Sequence, residues 1–189
     1  MTTVRRWKLL RTGLKSQNGD ITWKPLEWQK CREKLSMCSN GFHCSLGILQ
    51  ALRYVNGEIL AEVEVQGNNI LSPDKECWSE MRIIRAWKWT KKDSVNLAIL
   101  AAELVLPNFE IVFPKDNRPK KAIEAAKNYL KTLAGPVAAM LIAVSAGNTA
   151  ALAAWSAARS AATSVVGSAA ESKIEKWLVN NLTEMEEIF

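Results

Sequence analysis

The sequence predicts an α+β protein: an N-terminal mixed β-sheet with a short helix, followed by an Ala-rich antiparallel helical bundle. Three observations carry this reading. Apolar and polar residues alternate with a period of two over 59–65 and 80–89, the period changes to about 3.6 after Lys91-Lys92-Asp93, and 22 of the 36 residues from Gly135 to Ala170 are Ala, Ser or Gly. The change of period places a seam near residue 90, with a mixed α+β domain over 1–90 and an all-helical domain over 91–189. At 189 residues and 48% hydrophobic composition, each part can bury a core without disulfides or metal.

The elements follow in chain order. Trp7 to Arg11 reads as a first strand, ended by Gly13 and by the turn around Asn18-Gly19. Ile21–Trp23 and Leu26–Cys31 can return as strands. Asn40-Gly41 marks a further turn, and Ser45 is placed to cap a helix built on Leu46, Leu49, Leu52 and Arg53. In the strand 59–65, Ala61, Val63 and Val65 share one face while Glu62 and Glu64 take the other. The strand 80–89 is expected to pair with it, showing Met81, Ile83, Arg85, Trp87 and Trp89 on one side. Asp93 or Ser94 caps a helix that Pro107 stops, with Leu97, Leu100, Ala101 and Leu104 as its stripe. Asn117-Arg118-Pro119 starts another, with Ile123, Ala126, Tyr129 and Leu130 inward and Arg118 pairing locally with Asp116, Glu110 or Glu124. Tightly packed helices broken near Gly147 and Gly167 follow. A last helix runs from Ser168 to about Glu187, where Glu184, Glu186 and Glu187 oppose the helix dipole and favour fraying.

Charge is unevenly placed. Residues 1–35 hold nine Lys or Arg against three carboxylates, an excess of six that equals the net charge of the whole chain, +6. Arg5, Arg6, Lys8, Lys15 and Lys30, interleaved with Trp7, Trp23 and Trp28, form a candidate surface for an anionic partner, nucleic acid included, because cations neutralise phosphates and indoles stack on bases. The bland alternative is core tryptophan with edge lysine. Val137–Ala154, the longest greasy stretch, is broken by Ser145, Gly147, Asn148 and Thr149, and Met1–Leu14 lacks the continuous apolar run of a leader. The expectation is a cytoplasmic chain that does not use a membrane, with Cys31, Cys38, Cys44 and Cys77 reduced. These cysteines with His43 contain no Cys-x-x-Cys pair, so no metal and no cofactor are expected.

His43 is the only histidine, and with Ser45 and Tyr54 it defines a candidate pocket; the competing reading has it tying down a turn. The pattern Gly41-Phe-His43 followed by Ala51-Leu-Arg-Tyr54 resembles ADP-ribosyltransferase-like domains, which implies a strand, a short helix and a Glu around a nicotinamide; no catalytic Glu motif or phosphate-binding loop completes the pattern, and Glu62 or Glu64 would have to be recruited without one.

Longer patterns carry two further resemblances. Cys38-Ser-Asn-Gly-Phe-His-Cys-Ser45, Leu49-Gln-Ala-Leu-Arg-Tyr54, Ala61-Glu-Val-Glu-Val-Gln-Gly67, Asp74-Lys75 and Met81-Arg-Ile-Ile-Arg85 together resemble an uncharacterised domain common in bacteriophage and prophage proteins, over roughly 5–90. Val105-Leu-Pro-Asn-Phe-Glu110, Phe113-Pro-Lys-Asp-Asn-Arg-Pro119 and Lys121-Ala-Ile-Glu-Ala-Ala126, followed by the Ala-rich stretch, resemble a helical immunity-protein family over roughly 91–189. These resemblances imply a non-enzymatic phage or mobile-element protein acting in the host cytoplasm. It would bind and inhibit a protein or ribonucleoprotein such as a nuclease or toxin, in the manner of an anti-CRISPR or immunity protein, alone or as a homodimer. A nucleic-acid-binding accessory protein and a divergent transferase at His43 are the alternatives.

Overall fold

The two alternating stretches form long antiparallel strands, β4 (Ile59–Leu71) and β5 (Glu76–Lys88), paired along their lengths. The computed structural model describes residues 3–18, 21–54, 57–132 and 165–189. The chain divides into two compact units, one made of Met1–Trp89 with Trp177–Phe189 and the other of Thr90–Lys176. The α+β class is observed.

In the first unit, β1 (Val4–Leu10) pairs antiparallel with β4, and β2 (Gln29–Lys30) and β3 (Phe42–Cys44) pair with the free edge of β5. The sheet then closes on itself. Ser45, directly after β3, exchanges both backbone hydrogen bonds with Trp7 of β1, at 2.8 and 2.9 Å. The enclosed side holds Leu10, Trp23, Phe42, Cys44, Ala61, Val63, Val65, Trp78, Met81 and Ile83. Helix α1 (Ile48–Tyr54) packs against β1.

The β5 alternation changes phase part-way. Glu62 faces Arg85 but Val63 faces Ile83, so Ile84 is an extra residue, a β-bulge. Beyond it Ala86 takes the core side, Trp87 is buried on the other, and Arg85 is exposed. A single face for Met81 through Trp89 is therefore corrected. A second register shift lies between Gln66 and Asn69, where Gly67 adopts φ +83°. The proposed strand at Ile21–Trp23 is reduced to an isolated bridge between Lys15 and Thr22, because Trp23 turns inward and its Nε1 donates to Ser16 Oγ at 2.9 Å.

In the second unit, Thr90 rather than Asp93 or Ser94 caps α2 (Lys91–Val112); Asp93 supplies the reciprocal half of a capping box. The helix continues through Pro107, since one missing N–H removes a single bond, and ends where Phe113 N–H reaches Phe109 O at 2.8 Å. Helix α3 (Arg118–Thr132) packs Ile123, Ala126 and Tyr129 against Val95 and Ile99 of α2; of the expected α2 stripe, Leu97 and Ala101 are buried. Arg118 grips Asp116 through both carboxylate oxygens, at 2.6 to 3.1 Å, as the sequence suggested. By length and composition α2 could cross a membrane, with mean hydropathy 1.6; 28% of that apolar stretch is buried, and the helix buries Val95, Leu97, Ala98, Ile99 and Ala101. The expected helices over 133–164, with the break at Gly147, lie outside the described residues.

Helix α4 (Val165–Asn181) runs through Gly167 without a break, and a 3₁₀ turn at Leu182–Glu184 ends it short of Glu187. The acidic end is bonded to β5. Lys88 N–H donates to Glu186 O at 2.9 Å, Ile188 N–H to Ala86 O at 2.8 Å, and Phe189 packs on the core of the first unit. Its carboxylates find arginine and lysine on β5 instead of opposing a helix dipole.

The turn at Gly41 has φ +115°, and an added Cβ would lie 2.5 Å from Cys77 Sγ and 2.7 Å from Leu35 Cδ2. Gly41→Ala should therefore lower stability by about 2 kcal/mol or more, read as a fall in the urea midpoint at constant m-value.

Candidate anion-binding site

Alternation along β1 sends Arg6 and Lys8 to the same side as Leu10, facing Val63 and Ala61 across the ladder. Two cations thus enter the enclosed side of the sheet. Arg6 is compensated there: its Nε donates to Glu76 Oε2 at 2.7 Å, and Trp78 Nε1 donates to the same oxygen at 2.7 Å. Lys8 is treated differently. Its Nζ donates to the backbone oxygen of His43 at 2.7 Å and lies 5.8 Å from the Trp23 ring centroid, with no carboxylate paired to it among the described residues.

Burial pulls the Lys8 ammonium down from its ordinary 10.5 to about 8; the thiols of Cys44 and Cys77 oppose that shift weakly. Neither thiol serves as a counter-ion, because desolvation raises Cys77 and drives Cys44 to about 12. Lys8 therefore carries its charge at neutral pH at a cost of roughly 3 kcal/mol relative to a solvated lysine.

It stands in the wall of a groove of about 670 Å³ that opens between β1, the 14–23 hairpin and the 31–45 loop. Lys30, Arg32 and Lys75 bring further cations to the lining, and Glu33 is the one carboxylate there among the described residues. Polar groups come from Ser16, Gln17, Asn18, Ser39 and Asn40. Gln17 Oε1 is buried with no partner among the described residues. A groove of this size and charge suits an anionic group with several hydrogen-bonding atoms.

His43 and Ser45 both line this groove; the Ser45 backbone is paired with Trp7, and the His43 ring is committed to the fold. His43 Nε2 accepts from Cys38 N–H at 2.8 Å, which leaves the ring proton on Nδ1 toward the Gly41 backbone. Desolvation first, then Lys8 and Lys75, hold the His43 pKa below its usual value. The ring thus holds the 38–43 turn as a neutral imidazole. Tyr54 ends α1, and its side chain lies outside the described part of the structure.

The five cations singled out in the sequence do not form one surface. Arg5 reaches Glu62 at 3.3 Å, Arg6 reaches Glu76, and Lys30 reaches Glu80 at 3.3 Å. Lys15 sits exposed in the hairpin, bonded to Arg11 through its backbone. Sequence reading grouped Lys8 with them as a surface charge. The signal that could have separated it is its parity with Leu10. Arg32 and Lys75 carried none, since each depends on how its loop folds back.

Residues 4–92 match the family described as a domain of unknown function (DUF7666). The N-terminal half thus carries an uncharacterised domain, over nearly the span that the resemblance implied. No curated protein and no solved structure matches the chain. Among the described residues, no three His, Cys, Asp or Glu side chains come together as a metal site.

Because protonated His43 can no longer accept from Cys38 N–H, its depressed pKa gives stability that is present above pH 6.5 and lost as pH falls toward the folded value. His43→Ala should cost about 1–2 kcal/mol at pH 7 and remove that part of the acid slope, as measured by urea unfolding between pH 4.5 and 7.5.

Proposed function

We propose that this chain is a non-enzymatic binding protein of phage or mobile-element type that inhibits another macromolecule, and that the Lys8 groove receives an anionic group of that target. The observation that carries the reading is the contrast on β1: Arg6 faces Glu76 at 2.7 Å, whereas Lys8 faces a carbonyl and a tryptophan. Keeping a half-buried ammonium with no carboxylate paired to it among the described residues destabilises the fold, and local conflicts of this kind concentrate at functional sites. An anion entering the groove removes the conflict.

The target is a protein or ribonucleoprotein, a nuclease or toxin in the host cytoplasm, as the two resemblances suggest. Nucleic acid alone is the weaker reading, because Arg5, Arg6 and Lys30 already pair with Glu62, Glu76 and Glu80. A transferase at His43 is weaker still, since Nε2 is held by the Cys38 amide.

The deciding experiment is capture from host lysate by tagged protein, with nuclease treatment, using wild type and Lys8→Met. One stoichiometric protein that survives the nuclease and disappears with Lys8→Met is the expected result. Equal capture by both forms would remove the groove from the reading, and recovery of nuclease-sensitive material alone would transfer the function to nucleic acid.

Two physical signatures accompany it. Lys8→Met should raise stability at pH 7 by about 1–3 kcal/mol, seen as a higher melting temperature. Since folding lowers the Lys8 pKa from 10.5 to about 8, its contribution to wild-type stability is complete above pH 10.5 and lost as pH falls to 8. Target affinity should run the other way, declining as pH rises through about 8 in titration calorimetry.

A further inference from the structure

A different surface carries a second kind of recognition. The outer edge of β5 is covered in short pieces: β3 at Glu76–Trp78, β2 at Glu80–Met81, Leu26 N–H on Ile83 O at 2.9 Å, and residues 186–188 against Ala86–Lys88. The first three lie close to one another in sequence. The last comes from about a hundred residues away, and within its unit it holds to the sheet through few bonds. Two backbone bonds join it to β5, Glu187 forks onto Arg85 at 2.8 and 3.0 Å, Glu186 meets Lys88 at 3.4 Å, and Phe189 packs on the core. Both ion pairs are open to solvent, with 52% and 41% exposure at Arg85 and Glu187, so they add specificity more than strength.

We propose that the β5 edge at Arg85–Lys88 is a strand-acceptor site for a partner protein, and that residues Glu186–Phe189 occupy it as a displaceable stand-in. The occupant it fits is an extended segment with acidic, apolar and aromatic residues in the order Glu-Glu-Ile-Phe. Strand addition draws affinity from main-chain bonds and specificity from alternate side chains. Here the main-chain groups are Lys88 N–H and Ala86 C=O, and the side-chain features are the Arg85 fork and the place where Phe189 packs. Arg85 is also held 4.8 Å from the Trp87 ring centroid, which presets the fork before any strand arrives. A tethered segment competes at a high effective concentration, so an outside strand gains access when the resident one is weakened.

The test uses full-length protein and a labelled, amidated peptide of Thr183–Phe189, read by fluorescence anisotropy. Glu187→Arg, which disengages the resident strand, should bind the peptide at least tenfold more tightly than wild type. Arg85→Glu should lose it, and a peptide carrying Glu187→Arg should restore binding to that variant. Binding unaffected by the charge exchange, or no tighter in Glu187→Arg than in wild type, would overturn the proposal. So would a concentration-dependent dimer that Glu187→Arg dissolves, because it would give the edge to a second copy of this chain. A readout independent of the variants is amide exchange in wild type. Lys88 and Ile188 N–H should exchange far faster than the β4–β5 ladder, and protection equal to the ladder would also overturn the idea.

Discussion

The first unit depends on the pairing of β4 with β5, a hairpin of two 13-residue strands to which each of its other strands is attached. A lone hairpin is marginal in water. This one is secured by cover on both faces and edges: β1 along β4, short strands along β5, the inward Trp23 on one face, and Trp87 against Trp7 on the other. Its two register shifts give it shape. The extra residue at Ile84 and the positive-φ Gly67 bend and twist the ribbon. That curvature lets β3 bridge back to β1 through Ser45.

Enclosure gives the charges on β1 their meaning. In a flat sheet with one wet face Arg6 and Lys8 would be ordinary surface cations, but here they enter an interior. The fold answers each in a different way. For Arg6 it provides Glu76, itself fixed by Trp78 Nε1, so the pair meets the geometric demand placed on a desolvated ion pair. For Lys8 it provides one carbonyl, a nearby indole and two neutral thiols. A sequence selected for stability alone would place an apolar residue there. The retained ammonium is what binding an anion requires, and its cost is the kind of stability that functional sites give up.

How much of this was legible in the sequence follows the range of the interactions. The β4–β5 pairing, the inward Ala61, Val63 and Val65, the inner face of α3 and the change of character near residue 90 all rest on periodicity, which is local and readable. The phase change at Ile84 was not, because a bulge is set by the partner strand and leaves alternation intact to the eye. Thr90 was overlooked as a cap because Asp93 and Ser94 are equally good cap types; the reciprocal bond from Thr90 N–H to Asp93 decides between them. The path of residues 186–189 was hidden for a stronger reason. Its acidic residues conflict with a helix end when read locally, and only the distant Arg85 and Lys88 resolve the conflict. His43 was legible in both its readings, and the Cys38 amide shows what the imidazole holds.

The groove and the β5 edge meet in one row of the sheet. Lys8 faces Ala61, Ala61 faces Ala86, and Ala86 accepts the hydrogen bond from Ile188. Neighbouring strands lie about 4.8 Å apart, so this row spans only about 15 Å from the inward ammonium to the segment at the edge. Both alanines are fully buried, and their size is what the row needs. A larger side chain at Ala61 would compete with the Lys8 stem directly opposite it, since cross-strand neighbours on one face share the same space. At Ala86 it would crowd the same interior just beyond the bulge. Small residues in this row therefore serve two ends together: they leave volume for a lysine that turns inward, and they keep the β5 backbone close-packed where residues 186–188 pair with its edge.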